Sequence, residues 1–470
     1  MSLAMTTVGG AGARPDVLLQ LRRQWPLLPL AATVLMLLVP VPAGDATASG
    51  KVGPADAASL VLVLVCAVQA LRGRVRALSP FAVLVLGAPA VALAVATATA
   101  GDPLAALPGF VRYLQVFVLV PVAVVLLVRD AGEFRVAAGC FTVLALVQGA
   151  VGVVQYVTHT GASYQGEDIR AVGTFGPGDV MGMATVVAYG LVVATAAALA
   201  PGLPQPVRRV AGGTALLLVV PLVLSFSRGS WIATAGTAVL VMLLAGIRRA
   251  VRVLVALTAL AVVLVGGLGV GSAMVAERLT SITQISSAPD QSVTDRYTMW
   301  AAAGSMWQER PAVGVGLKGF PAHRDGHASL GLSSGSDTAG AGQGYVRQPL
   351  LSPHNMYLLV LSEQGLIGLV ALAGGWAVLL VAGIRRYVVA QRAQDRYAGA
   401  GAGGPDPSGR AMRDCGLIAI GLLVWQLTDF LYADIGGPST VLTGVIIGLA
   451  AWWALPSPVG PRAASGAAGR

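Results

Sequence analysis

Two arginines and one histidine lie where apolar segments begin, and their side chains offer the clearest chemistry in this sequence. Arg228 lies in the run SFSRGSW, Arg296 in DRY, and His354 in SPHNMY. A guanidinium group binds phosphate oxygens bidentately and keeps its charge at physiological pH. An imidazole can exchange a proton with a substrate hydroxyl near neutral pH. The combination predicts a site for a lipid-linked phosphate or pyrophosphate, with one base beside it.

The residues before His354 predict its protonation state. Ser352 is a favourable N-cap and Pro353 suits the first helical position, so a helix is predicted to begin at residue 353. His354 then lies in the first turn, where the positive end of the helix dipole disfavours the imidazolium. The sequence therefore predicts a neutral imidazole acting as general base, beside a helix N-terminus that can bind an anion.

The composition places these residues in a membrane protein. Of 470 residues, 56% are hydrophobic and 11% are charged, and the mean hydropathy is +0.76. A water-soluble chain carries about 25% charged residues, so an ordinary soluble protein is excluded. The net charge is +10, but the cations are scattered between apolar runs, which favours a lipid bilayer over a nucleic acid as partner. Three isolated cysteines argue against a disulfide framework and a zinc site.

Apolar runs of about 20 residues recur along the chain, and a helix of that length crosses a bilayer. The sequence predicts an all-α polytopic membrane protein with about twelve transmembrane helices. The predicted spans are 26–43, 57–71, 80–100, 108–128, 136–157, 178–200, 210–225, 229–247, 250–275, 354–383, 414–433 and 438–456.

The connections between these spans predict the orientation in the membrane. Alternate connections carry 21 of the 31 lysines and arginines, which the positive-inside rule assigns to the cytoplasm. Both termini are therefore predicted to be cytoplasmic, in an inner or plasma membrane, with Arg228, Arg296 and His354 on the external face. The predicted regions are a tail at 1–25, nine helices in 26–275, an external loop at 276–352, three helices in 353–456 and a second tail at 457–470.

The external loop 276–352 contains two contrasting segments. Residues 295–309 predict an interfacial helix whose aromatic residues recur at three- and four-residue steps, with Thr294 or Asp295 as its cap and Arg310-Pro311 as its end. Residues 325–344 contain ten Gly or Ser in twenty and predict a flexible lid or linker.

Four sequence elements resemble, in order, those of the O-antigen ligase family of membrane glycosyltransferases. They lie between residues 173 and 368, with the long loop where that family has it. The elements are GTFGP at 173–177, SRGSW at 227–231, DRY…W at 295–300 with PAVGVGL at 311–317, and HNMYL…EQGLIG at 354–368.

The resemblance implies a twelve-helix, GT-C-type glycosyltransferase fold and an activity. Such enzymes transfer a glycan from undecaprenyl pyrophosphate to a hydroxyl of a glycan, lipid or protein acceptor, with inversion and without a metal or another cofactor. It also implies that Arg228 and Arg296 hold the pyrophosphate and that His354 acts on the acceptor. One departure is Pro177-Gly178-Asp179, where the family often has Pro-Asn, and residues 325–344 resemble an insertion.

Other polar residues have two interpretations each. Arg170 either meets a phosphate or is solvated. Asn355, beside the predicted base, is expected at the substrate. Glu363 is a functional candidate because it lies inside a predicted span, although an ion-paired strut is the alternative. Asp429 and Asp434 either hold a substrate sugar or cap a helix.

Two broader alternatives stay open at this point. Either arginine alone is more simply an interfacial anchor whose side chain reaches the lipid headgroups. The competing function is a twelve-helix transporter or exporter of a glycan or lipid-linked substrate, for which two similar halves and a midplane site are typical. No such halves are evident in the sequence. The resemblance does not distinguish a ligase from a polymerase or a protein glycosylase.

Overall fold

The computed structural model describes residues 25–40, 53–164, 167–176, 179–247, 251, 291–341, 343–399 and 407–455. These residues are mostly helical. The helices are α1 (Trp25–Leu38), α2 (Pro54–Leu71), α3 (Pro80–Ala98), α4 (Pro103–Leu127), α5 (Ala131–Val157), α6 (Gly182–Leu199), α7 (Gln205–Leu224), α8 (Arg228–Ala245), α9 (Gln291–Glu309), α10 (Phe320–His327), α11 (Met356–Leu369, a π-helical turn Val370–Gly374, then Gly375–Gly399), α12 (Pro407–Asp429) and α13 (Thr440–Ala454).

Nine of the helices in this described part are long and apolar enough to cross a membrane. They are α2 to α8, α11 and α12, while α1 and α13 are shorter apolar helices. The polytopic membrane architecture predicted from the sequence is therefore confirmed. Eleven of the twelve predicted spans each coincide with one of these helices. The remaining predicted span, 250–275, falls outside the described residues apart from Val251.

The centre of the bundle is formed by α6, α12 and α13, which are buried along most of their length. Tyr189 on α6 donates its hydroxyl hydrogen bond to Gln426 on α12. Trp425, also on α12, donates from its indole nitrogen to Thr234 Oγ1 on α8 at 2.9 Å. Because polar groups inside a bilayer need internal partners, these bonds fix α6, α8 and α12 against one another.

Helix α11 is broken at Gly365, and the break is filled by the segment 311–317. Gly365 has φ of +63°, and a Cβ there would overlap the Ala312 carbonyl. On one side of the break, Val315 N donates to Ser362 O at 2.8 Å. On the other side, Leu366 N donates to Pro311 O at 2.9 Å. Non-helical backbone is tolerated within a membrane protein where such internal partners exist, so the break anchors the 311–317 segment beside α11.

Arg135 and Arg386 lie at one end of the bundle, here called the arginine end. Arg135 pairs with Asp414 at 3.2 Å, and the same carboxylate accepts from Gly202 N at 2.9 Å. Arg386 lies over the Trp453 ring, 4.6 Å from its centroid, and donates to the Trp453 carbonyl. These contacts join the start of α5 and the α6–α7 connection to the start of α12, and they join α11 to the end of α13.

The region predicted as a flexible lid is structured instead. Strands β1 (Ala162–Tyr164), β2 (Glu167–Arg170), β3 (Ser336–Gly340) and β4 (Gln343–Gln348) form an antiparallel sheet in the order β2-β1-β3-β4. The prediction of a flexible lid or linker over 325–344 was therefore wrong for the residues in the sheet. Strand β3 pairs with β1, which lies about 175 residues earlier in the chain, and no local sequence pattern reports a pairing over that separation.

The interfacial helix is longer than predicted. Helix α9 begins at Gln291 rather than at Thr294 or Asp295, and it ends at Glu309, directly before the predicted Arg310-Pro311 stop. Asp295 is buried inside the helix and accepts from Ser333 N at 2.8 Å and from Ser333 Oγ at 2.6 Å. Its carboxylate therefore ties α9 to the segment before β3 instead of capping the helix.

Candidate functional site

Residues 429–434 comprise the last residue of α12 and the turn after it, and we call this segment the α12 end. It makes hydrogen bonds with residues next to His354 and with a residue next to Arg228. Met356 N donates to Phe430 O at 2.9 Å, and Asn355 Nδ2 donates to Leu431 O at 2.7 Å. The Tyr432 hydroxyl donates to Gly229 O. The residues next to His354 and to Arg228 are thus fixed to one short segment, at the end of the bundle opposite the arginine end.

Arg228 is the first residue of α8 and is half-buried. The N-cap Ser227 accepts from Ser230 N at 3.2 Å, which starts the helix at this point. Gly229 packs against the Tyr432 ring so closely that a Cβ would overlap it. The SRG sequence is therefore explained by its surroundings. Ser227 caps the start of α8, and Gly229 allows α8 to approach the α12 end closely, so Arg228 lies between a helix cap and a close helix contact.

Arg296 lies on α9, one turn before Trp300, whose indole nitrogen donates to Pro353 O at 2.8 Å. This bond joins α9 to the His354 loop. The Arg296 guanidinium is close enough to interact electrostatically with His354, Asp429 and Tyr432. The structure therefore brings the predicted loop arginine to the predicted base.

His354 does not lie in the first turn of a helix, contrary to the sequence prediction. Helix α11 begins at Met356, and its N-cap is Asn355, whose Oδ1 accepts from Leu358 N at 3.0 Å. His354 precedes the cap and has φ of +49°. The prediction failed because the asparagine outcompetes Ser352 as cap. The expected anion site at this helix N-terminus is filled by the Asn355 side chain.

The pKa of His354 is nevertheless lowered, for a reason other than the helix dipole. Burial is the main cause; the Asp434 carboxylate opposes it and the Arg296 guanidinium adds to it. The imidazole is therefore neutral near pH 7, as expected for a general base.

Asp179, Asp429 and Asp434 form a carboxylate cluster centred on Asp429, which also interacts electrostatically with Arg296. Asp429 is buried and interacts electrostatically with Asp434, Arg296 and Asp179. Burial raises the pKa of Asp179 to about 6, against the Gly182 backbone N–H that lowers it. Asp179 Oδ2 and Asp434 Oδ2 are buried and have no hydrogen-bond partner among the described residues. The only sequence signal for this cluster was the presence of acidic residues at the ends of apolar spans.

Two of the other predicted substrate residues, Glu363 and Asn355, have hydrogen-bond partners within the protein. Glu363 accepts from Phe320 N at 3.2 Å through Oε1 and interacts electrostatically with Lys318 and Asp434. Arg170 ends β2, just before the GTFG element. Asn355 uses both ends of its amide within the protein, as described above.

The GTFG element, residues 173–176, is held in place by two glutamines of α5 that the sequence analysis did not single out. Gln155 Oε1 accepts from Gly173 N at 2.9 Å, and Gln148 Oε1 accepts from Thr174 N at 2.9 Å. Ala171 N, just before the element, donates to Leu224 O at the end of α7 at 3.2 Å. This element is therefore adjacent to the turn that carries Arg228.

Part of the chain matches a known protein family. Residues 213–373 match a protein family described as O-Antigen ligase. The match runs from α7 into α11 and includes Arg228, Arg296 and His354. No match was found among curated proteins.

The fold and the match together define a multi-pass membrane protein with an enzyme domain of the ligase or polymerase type. The resemblance inferred from the sequence motifs is confirmed over residues 213–373, which contain three of the four motifs. A lipid-linked glycan is the substrate class that this family implies.

Proposed function

We propose that this protein transfers a glycan from an undecaprenyl-pyrophosphate donor to an acceptor hydroxyl, as a polysaccharide ligase or polymerase with a GT-C-type fold. The observation that carries the proposal is the convergence of the Arg228 turn, Arg296 and the His354 loop on the α12 end. One guanidinium group beside a neutral imidazole, with a second arginine held at the same segment, suits an anionic leaving group and a hydroxyl nucleophile.

The proposed reaction is a direct displacement. His354 takes the proton of the acceptor hydroxyl while the acceptor oxygen attacks the anomeric carbon of the donor sugar. The bond from that carbon to the pyrophosphate oxygen breaks on the opposite face, so the configuration inverts. Arg228 and Arg296 stabilise the negative charge that grows on the departing pyrophosphate. In this proposal they take the place of a divalent ion.

Asp434 has a supporting part in this mechanism. Its carboxylate interacts electrostatically with His354 and favours the protonated imidazole, whereas burial and Arg296 favour the neutral form. The neutral form is needed before proton transfer and the charged form after it. A carboxylate partner therefore stabilises the imidazolium as it forms.

We further propose that the site is on the external face of an inner or plasma membrane, with both termini cytoplasmic. The arginine end lies opposite the α12 end and carries the described connections that the positive-inside rule assigns to the cytoplasm.

The deciding experiment reconstitutes the purified protein with an undecaprenyl-pyrophosphate-linked glycan, with and without candidate acceptors. A ladder of product lengths indicates a polymerase, and a single adduct indicates a ligase. Donor that is carried across a vesicle membrane but stays chemically intact would contradict the proposal and favour the transport alternative. Repeating the assay with excess chelator tests metal independence, since complete and reversible loss of transfer would refute it.

A further inference from the structure

Tyr113, Lys318 and Glu363 form a second set of polar side chains beside the candidate site, here called the Tyr113 group. The Tyr113 hydroxyl on α4 and Glu363 Oε2 on α11 are buried and have no hydrogen-bond partner among the described residues. Lys318 is exposed, and its ammonium nitrogen lies 5.2 Å from the centroid of the Tyr113 ring. The group therefore combines a hydroxyl, a carboxylate and a cation.

The break in α11 holds Lys318 next to Glu363. Gly316 N donates to Glu363 O at 3.0 Å, and Phe320 N donates to Glu363 Oε1 at 3.2 Å, so residues on both sides of Lys318 are bonded to Glu363. The Lys318 side chain also packs against Gly109 on α4, where a Cβ would lie 2.5 Å from Lys318 Cγ. The space that a side chain at residue 109 would fill is thus occupied by Lys318.

Tyr113 begins a row of buried aromatic rings that ends at the α12 end. The centroid of its ring lies 5.6 Å from that of Phe117, and the Phe117 centroid lies 5.6 Å from that of Trp376. Trp376 in turn lies 5.2 Å from Phe430, again between ring centroids. All four side chains are buried. Because close-packed rings have little freedom to change rotamer, the Tyr113 hydroxyl has a fixed position relative to the α12 end.

Asp434 links the Tyr113 group to the proposed base. It interacts electrostatically with Tyr113 and with Glu363, and it also interacts with His354. A ligand bound at the Tyr113 group is therefore next to the residue that supports proton transfer.

The proposed displacement needs separate binding groups for its two substrates, because the acceptor and the pyrophosphate lie on opposite faces of the anomeric carbon. Arg228 and Arg296 serve the pyrophosphate in that proposal. A pyrophosphate at the Tyr113 group would meet the carboxylates of Glu363 and Asp434, which oppose an anion. The Tyr113 group is therefore suited to the acceptor.

The unpartnered atoms of the group indicate the chemistry of that ligand. A buried polar group without a hydrogen bond is costly, and a bound ligand can supply the missing partner. Sugar hydroxyls both donate and accept, so they can satisfy a phenol and a carboxylate together. A hydrocarbon chain can satisfy neither.

We propose that the Tyr113 group binds the acceptor sugar beside the hydroxyl that His354 deprotonates. Tyr113 and Glu363 form hydrogen bonds with other hydroxyls of that sugar, and Lys318 covers the subsite from outside. This inference rests on the proposed function and deepens it, since it names the acceptor class. The acceptor is a sugar unit with several free hydroxyls rather than the single side-chain hydroxyl of a protein.

The primary test uses lysine reactivity, because the chain contains only two lysines, Lys51 and Lys318. In a Lys51→Arg protein, purified in a detergent without a sugar headgroup, sulfosuccinimidyl acetate should acylate Lys318, as measured by mass spectrometry of its peptide. The probes are the methyl glycosides of glucose, galactose, N-acetylglucosamine and rhamnose. We expect at least one of them to suppress the acylation, whereas its permethylated derivative, which has no hydroxyl, should not. Acylation unaffected by all four glycosides, or suppressed equally by the permethylated derivative, would overturn the proposal.

A substitution provides the second measurement. Tyr113→Phe, in the Lys51→Arg protein, removes a buried hydroxyl without a partner and keeps the ring, so Tm should be unchanged or higher. The glycoside concentration that gives half-maximal protection of Lys318 should rise about three- to tenfold, as expected for the loss of one hydrogen bond. A purely structural role of Tyr113 predicts the reverse, a lower Tm with unchanged protection.

The matched control is Tyr387→Phe in the same Lys51→Arg protein. Tyr387 is also buried on a membrane helix, but it lies next to Arg386 at the arginine end and its hydroxyl donates to Leu244 O at 3.3 Å. Its loss should lower Tm and leave the protection of Lys318 unchanged.

Protection of Lys318 requires neither the donor nor catalysis, so the two proposals fail separately. Glycan transfer without protection by any glycoside would contradict the acceptor subsite alone. Protection without transfer to any acceptor would instead contradict the proposed function.

Discussion

At the scale of single residues, the chemistry depends on the balance of charges around His354. Burial and Arg296 hold the imidazole neutral, and Asp434 counteracts them. A base held in this way stays deprotonated to a lower pH than a free imidazole does. The same environment must then accept a positive charge when the proton arrives, and Asp434 is the group that favours this state.

Replacement of His354 by alanine should abolish transfer without changing membrane insertion. Loss of a general base typically costs about 10² to 10⁴ in rate. Turnover of the undecaprenyl-pyrophosphate donor is the measurement, and the matched control is His327→Ala. His327 lies on α10 and contacts Glu309 at 2.9 Å, away from the α12 end, so its variant should retain activity. Near-normal product from His354→Ala would refute the assigned base.

The two charged neighbours of His354 should shift the pH profile in opposite directions. Asp434→Asn removes the group that raises the pKa of His354, so the acidic limb of kcat/KM should move to lower pH. Arg296→Gln removes a group that lowers this pKa, so the limb should move to higher pH. Both variants should also lose rate. The measurement is kcat/KM as a function of pH for the two variants and the unmodified protein. Shifts of the acidic limb in the same direction in both variants are incompatible with opposite effects of Asp434 and Arg296 on the pKa of His354.

At the scale of elements, the predictable and unpredictable parts of the fold differ in their physical origin. The existence of the spans follows from local apolar length and was predicted for every described span. Their ends were less accurate, since α11 runs to Gly399 rather than 383 and α12 begins at Pro407 rather than 414. The start of α11 was misplaced because two neighbouring residues, Ser352 and Asn355, compete as caps and the sequence does not rank them. The sheet and the carboxylate cluster depend on contacts between distant segments, which neither composition nor periodicity reports.

The break in α11 gives the clearest prediction at this scale. Gly365→Ala places a side chain on a backbone with φ of +63° and against the Ala312 carbonyl. The backbone strain alone costs about 1–3 kcal/mol, so Tm in detergent should fall and transfer should be impaired. Gly304→Ala is the matched control, because Gly304 is helical and a Cβ there meets no neighbour within 4 Å. Its Tm should be unchanged or slightly higher. Equal effects of the two substitutions would argue against a required break.

At the scale of the whole molecule, the two ends of the bundle have different chemistry. At the arginine end, Arg135 pairs with a buried carboxylate and Arg386 stacks on tryptophan, so these cations brace the helices. At the α12 end, Asp179 and Asp434 keep buried oxygens without hydrogen-bond partners among the described residues. Unsatisfied groups of this kind are costly in an apolar setting, and a hydroxyl-rich substrate is able to satisfy them.

The proposed orientation predicts which end reacts with a reagent outside the cell. Leu330 is fully exposed in the segment between α10 and β3, and Arg392 lies on the last turns of α11, which extend toward the arginine end. In intact cells a membrane-impermeant maleimide should label Leu330→Cys, whereas Arg392→Cys should react only after permeabilisation. The native cysteines Cys66, Cys140 and Cys415 are buried and free, so the unmodified protein should give little background. Labelling of Arg392→Cys in intact cells, with Leu330→Cys protected, would reverse the topology and move the candidate site to the cytoplasmic face, where an external acceptor is out of reach.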